Sequence, residues 1–394
     1  MKLSQPVFVR WSDPDPSHIA FLTAASIDAA LLAAPHAAFE TAARAANIST
    51  FAESEWPPSV GRGLWPGTSR GPGKNDPDKE VASASREPWI DANGHIVAYE
   101  RALYPDKPVL LGYGPHDRIV PFDTLELALA EAWAYGGNIL LTIPARFRTE
   151  LQSGTPTARA AWETFGQMVR FLKEHEVLLG RPALPIITAV VEPGTATAEI
   201  ANLLHRRGAS PALVSAQQIP KGGVQALVAA GLKQVPPAVF SHAAAGGTVI
   251  IDSPAPPGAK LSKSEQDRDF LSLGSGRIVS YHQRIVDPSE FALDVIDVIN
   301  HRQRAVRLWN ALSSIPLATS GPERGELTLH VLQYGSGEPT ELQARVQGHF
   351  SRAVLLSPGT PPLPLHTARR GSTTEVFLTP RRRLAIVRFS GALG

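Results

Sequence analysis

Short apolar runs alternate with helical segments over residues 6–180, and this alternation constrains the fold more than any other feature of the chain. Residues 6–11 (PVFVRW), 27–32 (IDAALL), 48–52 (ISTFA), 108–113 (PVLLGY) and 138–143 (NILLTI) read as strands, and 81–85 as a weaker one. Residues 18–25, 37–46 and 95–103 read as helices between them. A further helix starts at Asp123, with Glu126 three residues on as in a capping box, and stops at Gly136-Gly137. A long helix then carries Trp162, Phe165, Met168, Val169 and Leu172 on one stripe. Strands and helices in this order predict a parallel sheet with right-handed crossovers. Six strands in about 180 residues fit a doubly wound sheet or a shortened (β/α) barrel, because eight full units take about 250 residues.

The remainder changes character twice. Strands at 186–191, 211–214, 247–251 and 276–281 enclose a helix after Thr195 and end on a helix at 288–300, a flavodoxin-like α/β pattern. Residues 224–230 fit either a helix or an apolar strand. From Arg302 only strands remain, at 305–309, 315–318, 326–334, 342–346, 352–356, 363–367, 374–378 and 384–389. Turn residues separate them, as in an antiparallel β-sandwich. A length of 394 residues allows two or three domains. The pattern gives three: a (β/α) TIM-type barrel over 1–182, a flavodoxin-like α/β domain over 183–300 and a β-sandwich over 301–394. One stretch of the first unit, 56–80, is rich in Pro and Gly, carries two Trp and has no periodicity. It reads as an ordered loop over a strand end.

Composition excludes several chemistries. The chain has no Cys, which removes disulfides, thiolate metal sites and thiol nucleophiles. A net charge of +2 gives no draw toward nucleic acid. No apolar run reaches the ~18 residues a membrane span needs. The N-terminal MKLSQPVFVRW has no apolar core of a signal peptide, and the compartment stays open. There is no phosphate loop, no dinucleotide fingerprint and no nucleophile elbow. Histidines show no ligand spacing, so neither metal nor cofactor is expected.

Polar groups collect instead at the expected C-terminal ends of the first unit's strands, where parallel α/β barrels place their sites. Arg10, Trp11 and Asp13 follow the first strand, and Glu53, Glu55 and Trp56 the third. Glu87, Trp89 and Asp91 follow the weaker strand. Tyr113, His116 and Asp117 follow PVLLGY, and Arg146 follows NILLTI. Aromatic rings cover the apolar faces of a pyranose, and carboxylates bind hydroxyls or act as acid and nucleophile. The candidate pair is Glu53 with Glu87 or Asp117, with Trp56 and Trp89 as sugar platforms and Arg10 holding a carboxylate ionised. Each has a plainer role as well: Asp91 and Asp117 suit turns, and Trp11 and Trp89 suit a core.

Local sequences extend this reading. SIDAALL, FETAARAANIST and LALAEAWAYGGNILL in the first unit, AWETFGQMVRFLKEHEVLL leading into TAVVEPGTATAEIANLLHRRGASPALV, and GGTVIIDSP carry a resemblance. The chain resembles bacterial hypothetical glycosyl hydrolases with a β-galactosidase-type trimerisation domain. The resemblance implies a glycosidase-like barrel, an amidotransferase-like α/β domain that serves assembly as a homo-oligomer, a β-sandwich, and a carbohydrate ligand. It does not bring a catalytic pair. Retaining β-galactosidases of the barrel clan carry Asn-Glu after strand four and Glu after strand seven. This chain has no Asn-Glu dipeptide, and Pro144 and Arg146 stand after NILLTI. Two readings follow: a glycoside hydrolase using a carboxylate pair, or a non-catalytic carbohydrate-binding or scaffold protein on a degenerate barrel.

Overall fold

The computed structural model describes residues 6–55, 61–63, 68–72, 80–84, 92–113, 124–143, 145–222, 224–311, 313–335 and 341–392. Its first sheet is built from β1 (Phe8–Arg10), β2 (Ala29–Leu32), β3 (Ser49–Ala52), β4 (Gly61–Arg62), β7 (Leu110–Gly112) and β8 (Asn138–Thr142). The order is β3-β2-β1-β8-β7-β4, and every pairing is parallel. The last strand beside the first is how a barrel closes. Here β3 and β4 form the two outer edges, and no strand bridges them among the described residues. Over the described residues the sheet is a barrel wall left open on one side.

Two expectations change in this unit. The weak strand expected at 81–85 is β6 (Glu80–Ala84). It pairs antiparallel with β5 (Thr68–Pro72) in a separate hairpin and not with the parallel sheet. The Pro/Gly-rich stretch also supplies β4, a strand of the main sheet. Neither segment alternates apolar and polar residues, which removes the signal that separates a sheet strand from a hairpin.

The helices are α1 (Ile19–Ala24), α2 (Ala37–Ala45), α3 (Gly94–Leu103), α4 (Thr124–Ala134), α5 (Ala145–Gln152) and α6 (Pro156–Glu174). The stripe on α6 faces the core as its spacing requires, with Trp162 stacked on Phe165 at 5.3 Å. Every residue of α4 is buried. A helix that is apolar on all sides needs cover on all sides, and α4 lies between the first sheet and the C-terminal strands. Its two carboxylates therefore need internal partners. Asp123 lies outside the described residues, and the expected capping box with it; Glu126 itself is buried. Both of its oxygens go to Arg382, at 3.2 and 3.0 Å.

The second sheet contains β9 (Ile187–Val191), β10 (Ala212–Ser215), β11 (Ala226–Val228), β12 (Thr248–Ile251), β13 (Lys260–Ser264), β14 (Arg268–Leu273) and β15 (Gly276–Tyr281). The order β10-β9-β11-β12-β15 is the flavodoxin order, and β14 and β13 add an antiparallel edge. Residues 224–230 thus hold a strand. Helices α7 (Thr195–Arg206), α8 (Pro237–Ala244) and α9 (Pro288–Val298) flank this sheet. Asp287 starts α9 by accepting from Ser289 N at 2.9 Å and Glu290 N at 3.2 Å. In such sheets a ligand crevice opens between the first and third strands. Here α3 reaches toward it. Tyr99 Oη donates to the Glu192 carbonyl at 2.6 Å, and Lys233 N donates to the Glu192 carboxylate at 2.6 Å.

The C-terminal strands form two antiparallel sheets. One orders β16 (Val306–Trp309), β19 (Leu342–Gln347), β23 (Thr373–Leu378) and β22 (Ala368–Arg370). The other orders β17 (Ser314–Ser320), β18 (Leu327–Gln333), β24 (Leu384–Ala392), β20 (Phe350–Ser357) and β21 (Thr360–Leu365). Their inner faces enclose a core that includes Leu329, Val346, Val376 and Phe389. The outer face of the five-stranded sheet joins the core of the first unit through Leu317, Leu332, Tyr334 and Ile386.

Candidate functional site

Parallel strands release their polar residues at their C-terminal ends, and three such ends meet in the first sheet. Arg10 ends β1, Glu53 follows β3 and Thr142 ends β8. β2 separates β1 from β3, so the long guanidinium must reach across it. Arg10 Nε lies 2.7 Å from Glu53 Oε1, and Nη1 donates to Thr142 Oγ1 at 3.2 Å. Glu53 keeps 40% of its side chain exposed and Arg10 30%, so a ligand on this face can touch both.

A second polar group sits on the same strand-end side. The β1–α1 connection carries Asp13, and His18 stands at the start of α1. Gln152, from the end of α5, donates to Asp13 Oδ2 at 3.0 Å and lies 3.3 Å from His18 Nε2. His18 packs edge-on against Trp11 at 5.8 Å. The loop after β2 closes on itself: His36 Nδ1 accepts from Phe39 N, and Glu40 Oε1 accepts from His36 N at 2.9 Å. Together these supply an accessible carboxylate, a guanidinium, a hydroxyl and an imidazole–amide pair. Such donors and acceptors suit hydroxyl-rich ligands. Among the described residues no cluster of His, Asp and Glu could hold a metal ion, and no helix is long and apolar enough to cross a membrane.

The sequence-derived candidates divide. Arg10 and Glu53 come together at the strand ends. Glu55 lies in the short turn Glu53–Glu55 that follows β3. Trp11 and Tyr113 are core residues, at 1% and 0% exposure, and offer no open ring face. Tyr113 packs so closely on Gly63 that a Cβ there would lie 2.9 Å from its ring. Burial, then the charge of Glu131, pushes the Tyr113 hydroxyl well above its usual range. Arg146 pairs with Glu150 along α5 at 2.6 Å. Trp56, Glu87, Trp89, Asp91, His116 and Asp117 lie outside the described residues. β6, the described strand that precedes Glu87, Trp89 and Asp91 in the chain, belongs to the hairpin with β5. Sequence reasoning missed Thr142, His18 and Gln152. Thr142 was open to detection as the last polar residue of NILLT. Gln152 joins from 139 residues away, and no local pattern marks it.

No family model matches the chain, and no curated protein matches it. Solved structures do. One is the α-L-fucosidase isoenzyme 2 from Paenibacillus thiaminolyticus, at 9% identity and TM-score 0.53, covering 95% of this chain and 79% of that one. A catalytic mutant of a GH42 β-galactosidase from G. stearothermophilus is similar at 10% identity and TM-score 0.51, over 94% of this chain and 60% of that one. The β-galactosidase from Bacillus circulans sp. alkalophilus aligns at 10% identity and TM-score 0.50, over 76% and 58%. This chain therefore spans about three fifths of the length of those β-galactosidases. At such identities the likeness is one of fold. The chain has a glycoside hydrolase-like multidomain fold, with parallel α/β sheets followed by two antiparallel sheets.

Proposed function

We propose that the chain takes carbohydrate at the C-terminal face of its first sheet, with Glu53 as the carboxylate that meets the sugar. The observation that carries this reading is the convergence of Arg10, Glu53 and Thr142 from three strand ends, on a fold shared with fucosidase and β-galactosidase structures. In a hydrolase Glu53 would need a second carboxyl, about 5–5.5 Å away for retention or about 6.5–9.5 Å for inversion. Glu87 and Asp117 are the candidates, with Trp56 and Trp89 as platforms. His18 and Gln152 would flank the same face. We place the domain boundaries at 182/183 and 300/301 and assign the middle domain to assembly as a homo-oligomer.

A second reading, sugar binding without turnover, is favoured by the edge between β3 and β4 that no strand bridges among the described residues. One experiment separates the two. Wild type and Glu53→Gln are assayed on aryl α-fucosides and β-galactosides, and the corresponding sugars are titrated by calorimetry. Turnover that falls by about a thousandfold or more in the variant supports hydrolysis. Sugar binding without turnover, weakened in the variant, supports the binder. Wild-type turnover or binding that Glu53→Gln leaves unchanged refutes the site.

A further inference from the structure

Five arginines gather around one tryptophan at the four-stranded sheet: Arg307, Arg345 and Arg370 stand on its strands, and Arg302 and Arg304 just before β16. Arg302, Arg304, Arg307, Arg345 and Arg370 line a pocket of about 400 Å³ with Trp309. The register puts Arg307 directly opposite Arg345 on neighbouring antiparallel strands. Like charges in that position are destabilising. The fold tolerates them by two devices. Both guanidinium groups lie over the Trp309 ring, at 4.4 and 4.8 Å. The buried Glu375 accepts from Arg345 at 2.6 Å and from Arg370 at 3.3 Å. That single carboxylate is shared by two of the five cations. Arg304 Nε is buried with no hydrogen-bond partner among the described residues. Burial, then Arg307, lowers the Arg304 guanidinium to about 10, although Asp297 opposes this.

A sheet face that brings cations together beyond its own acids is shaped for an anion. We propose that this pocket binds a carboxylate-bearing saccharide, with Arg302, Arg304 and Arg307 holding a uronate carboxylate and Trp309 beside the sugar ring. Arginine offers paired donors that match a carboxylate. The site is a single pocket with one stacking ring, on a chain whose net charge is only +2. A nucleic-acid surface would instead present a basic stripe with repeated stacking residues. The inference goes beyond the site at Glu53 and does not require turnover there.

The test is calorimetric titration of the full chain with trigalacturonate, neutral galactotriose, sodium sulfate and a single-stranded oligonucleotide. Trigalacturonate should bind, and Arg307→Gln and Arg302→Gln should each weaken it about tenfold or more. Arg302 is exposed, so its variant tests the site with little effect on folding. Arg307→Gln removes one of two opposed cations, and its melting temperature should not fall. Galactotriose should be insensitive to both variants. The proposal is overturned if trigalacturonate fails to bind at millimolar concentration or if both variants leave its affinity unchanged. It is also overturned if sulfate binds as tightly as the saccharide, which would make this a simple oxyanion site, or if the oligonucleotide binds more tightly. Loss of activity in Glu53→Gln with trigalacturonate affinity intact would separate this pocket from the face at Glu53.

Discussion

Replacing Tyr334 by Phe should weaken the junction between the β-sandwich and the first unit. Glu131 lies in the middle of α4 at 0% exposure. Its Oε1 accepts from Asn93 N at 2.6 Å, Gly94 N at 3.0 Å and Tyr334 Oη at 2.5 Å, and its Oε2 from Asn93 Nδ2 at 3.0 Å. Tyr334 follows β18, so this hydrogen bond ties the five-stranded sheet to α4 of the first unit. Phe keeps the ring, so no large cavity opens, and the loss is that of one charge-assisted hydrogen bond, about 1.5–3 kcal/mol. Burial raises the Glu131 carboxyl, and the four donors oppose that rise, Tyr334 most strongly. An acid raised in the folded state binds more protons there than when unfolded. Its contribution is therefore full below the unfolded value of 4.5 and is lost as pH rises through the folded value. Removing Tyr334 Oη raises the folded value further, so the deficit should be larger at pH 7 than at pH 4.

Three packed units need not unfold in one step, so hydrogen exchange is a better assay than a single melting curve. At pH 7, protection of α4, the start of α3 and β18 should fall together, by about tenfold to 150-fold. A change in protection of less than about twofold, a loss confined to the sandwich, or a deficit that grows toward acid pH would refute this role for Tyr334.

Arg382→Met should strand Glu126, which is 2% exposed, and cost about 3 kcal/mol or more in urea denaturation. The double variant with Glu126→Leu should recover much of that loss. His205 and His330 are fully buried, and desolvation lowers each to about 4 against an ordinary 6.5. A lowered histidine leaves the unfolded chain binding more protons, so stability holds above about 6.5 and is lost as pH falls toward 4. Each contributes up to about 1.4 kcal/mol per pH unit in that window. His330→Leu should flatten the urea-midpoint profile between pH 6.5 and 4 by up to that slope, and an unchanged slope would contradict it. Gly94→Ala would set a Cβ 2.2 Å from the Tyr135 ring. It should cost about 1–3 kcal/mol by thermal melt.

The sequence by itself determined the class of each region, because periodicity reports local geometry. The α6 stripe, the apolar runs of β1, β2 and β8 and the eight strands expected after Arg302 all stand where alternation and spacing put them; β22 is the one added. Arg10 and Glu53 were legible as strand-end residues for the same reason. Segments without a buried face gave no such signal. The hairpin of β13 and β14 is partly or wholly exposed along its length, and β4 and β5 sit among Pro and Gly. Only the tertiary structure decided which strand ends meet. It carried Arg10 across β2 to Glu53, set Gln152 beside Asp13, and gave Trp11 and Tyr113 to the core. Among the described residues it also left β3 and β4 as the sheet's outer edges, and it turned the carboxylates of α4 inward toward Arg382 and Tyr334. Those outcomes depend on contacts between residues far apart in the chain, where packing and the demand to satisfy every buried polar group choose among partners that a local pattern leaves equivalent.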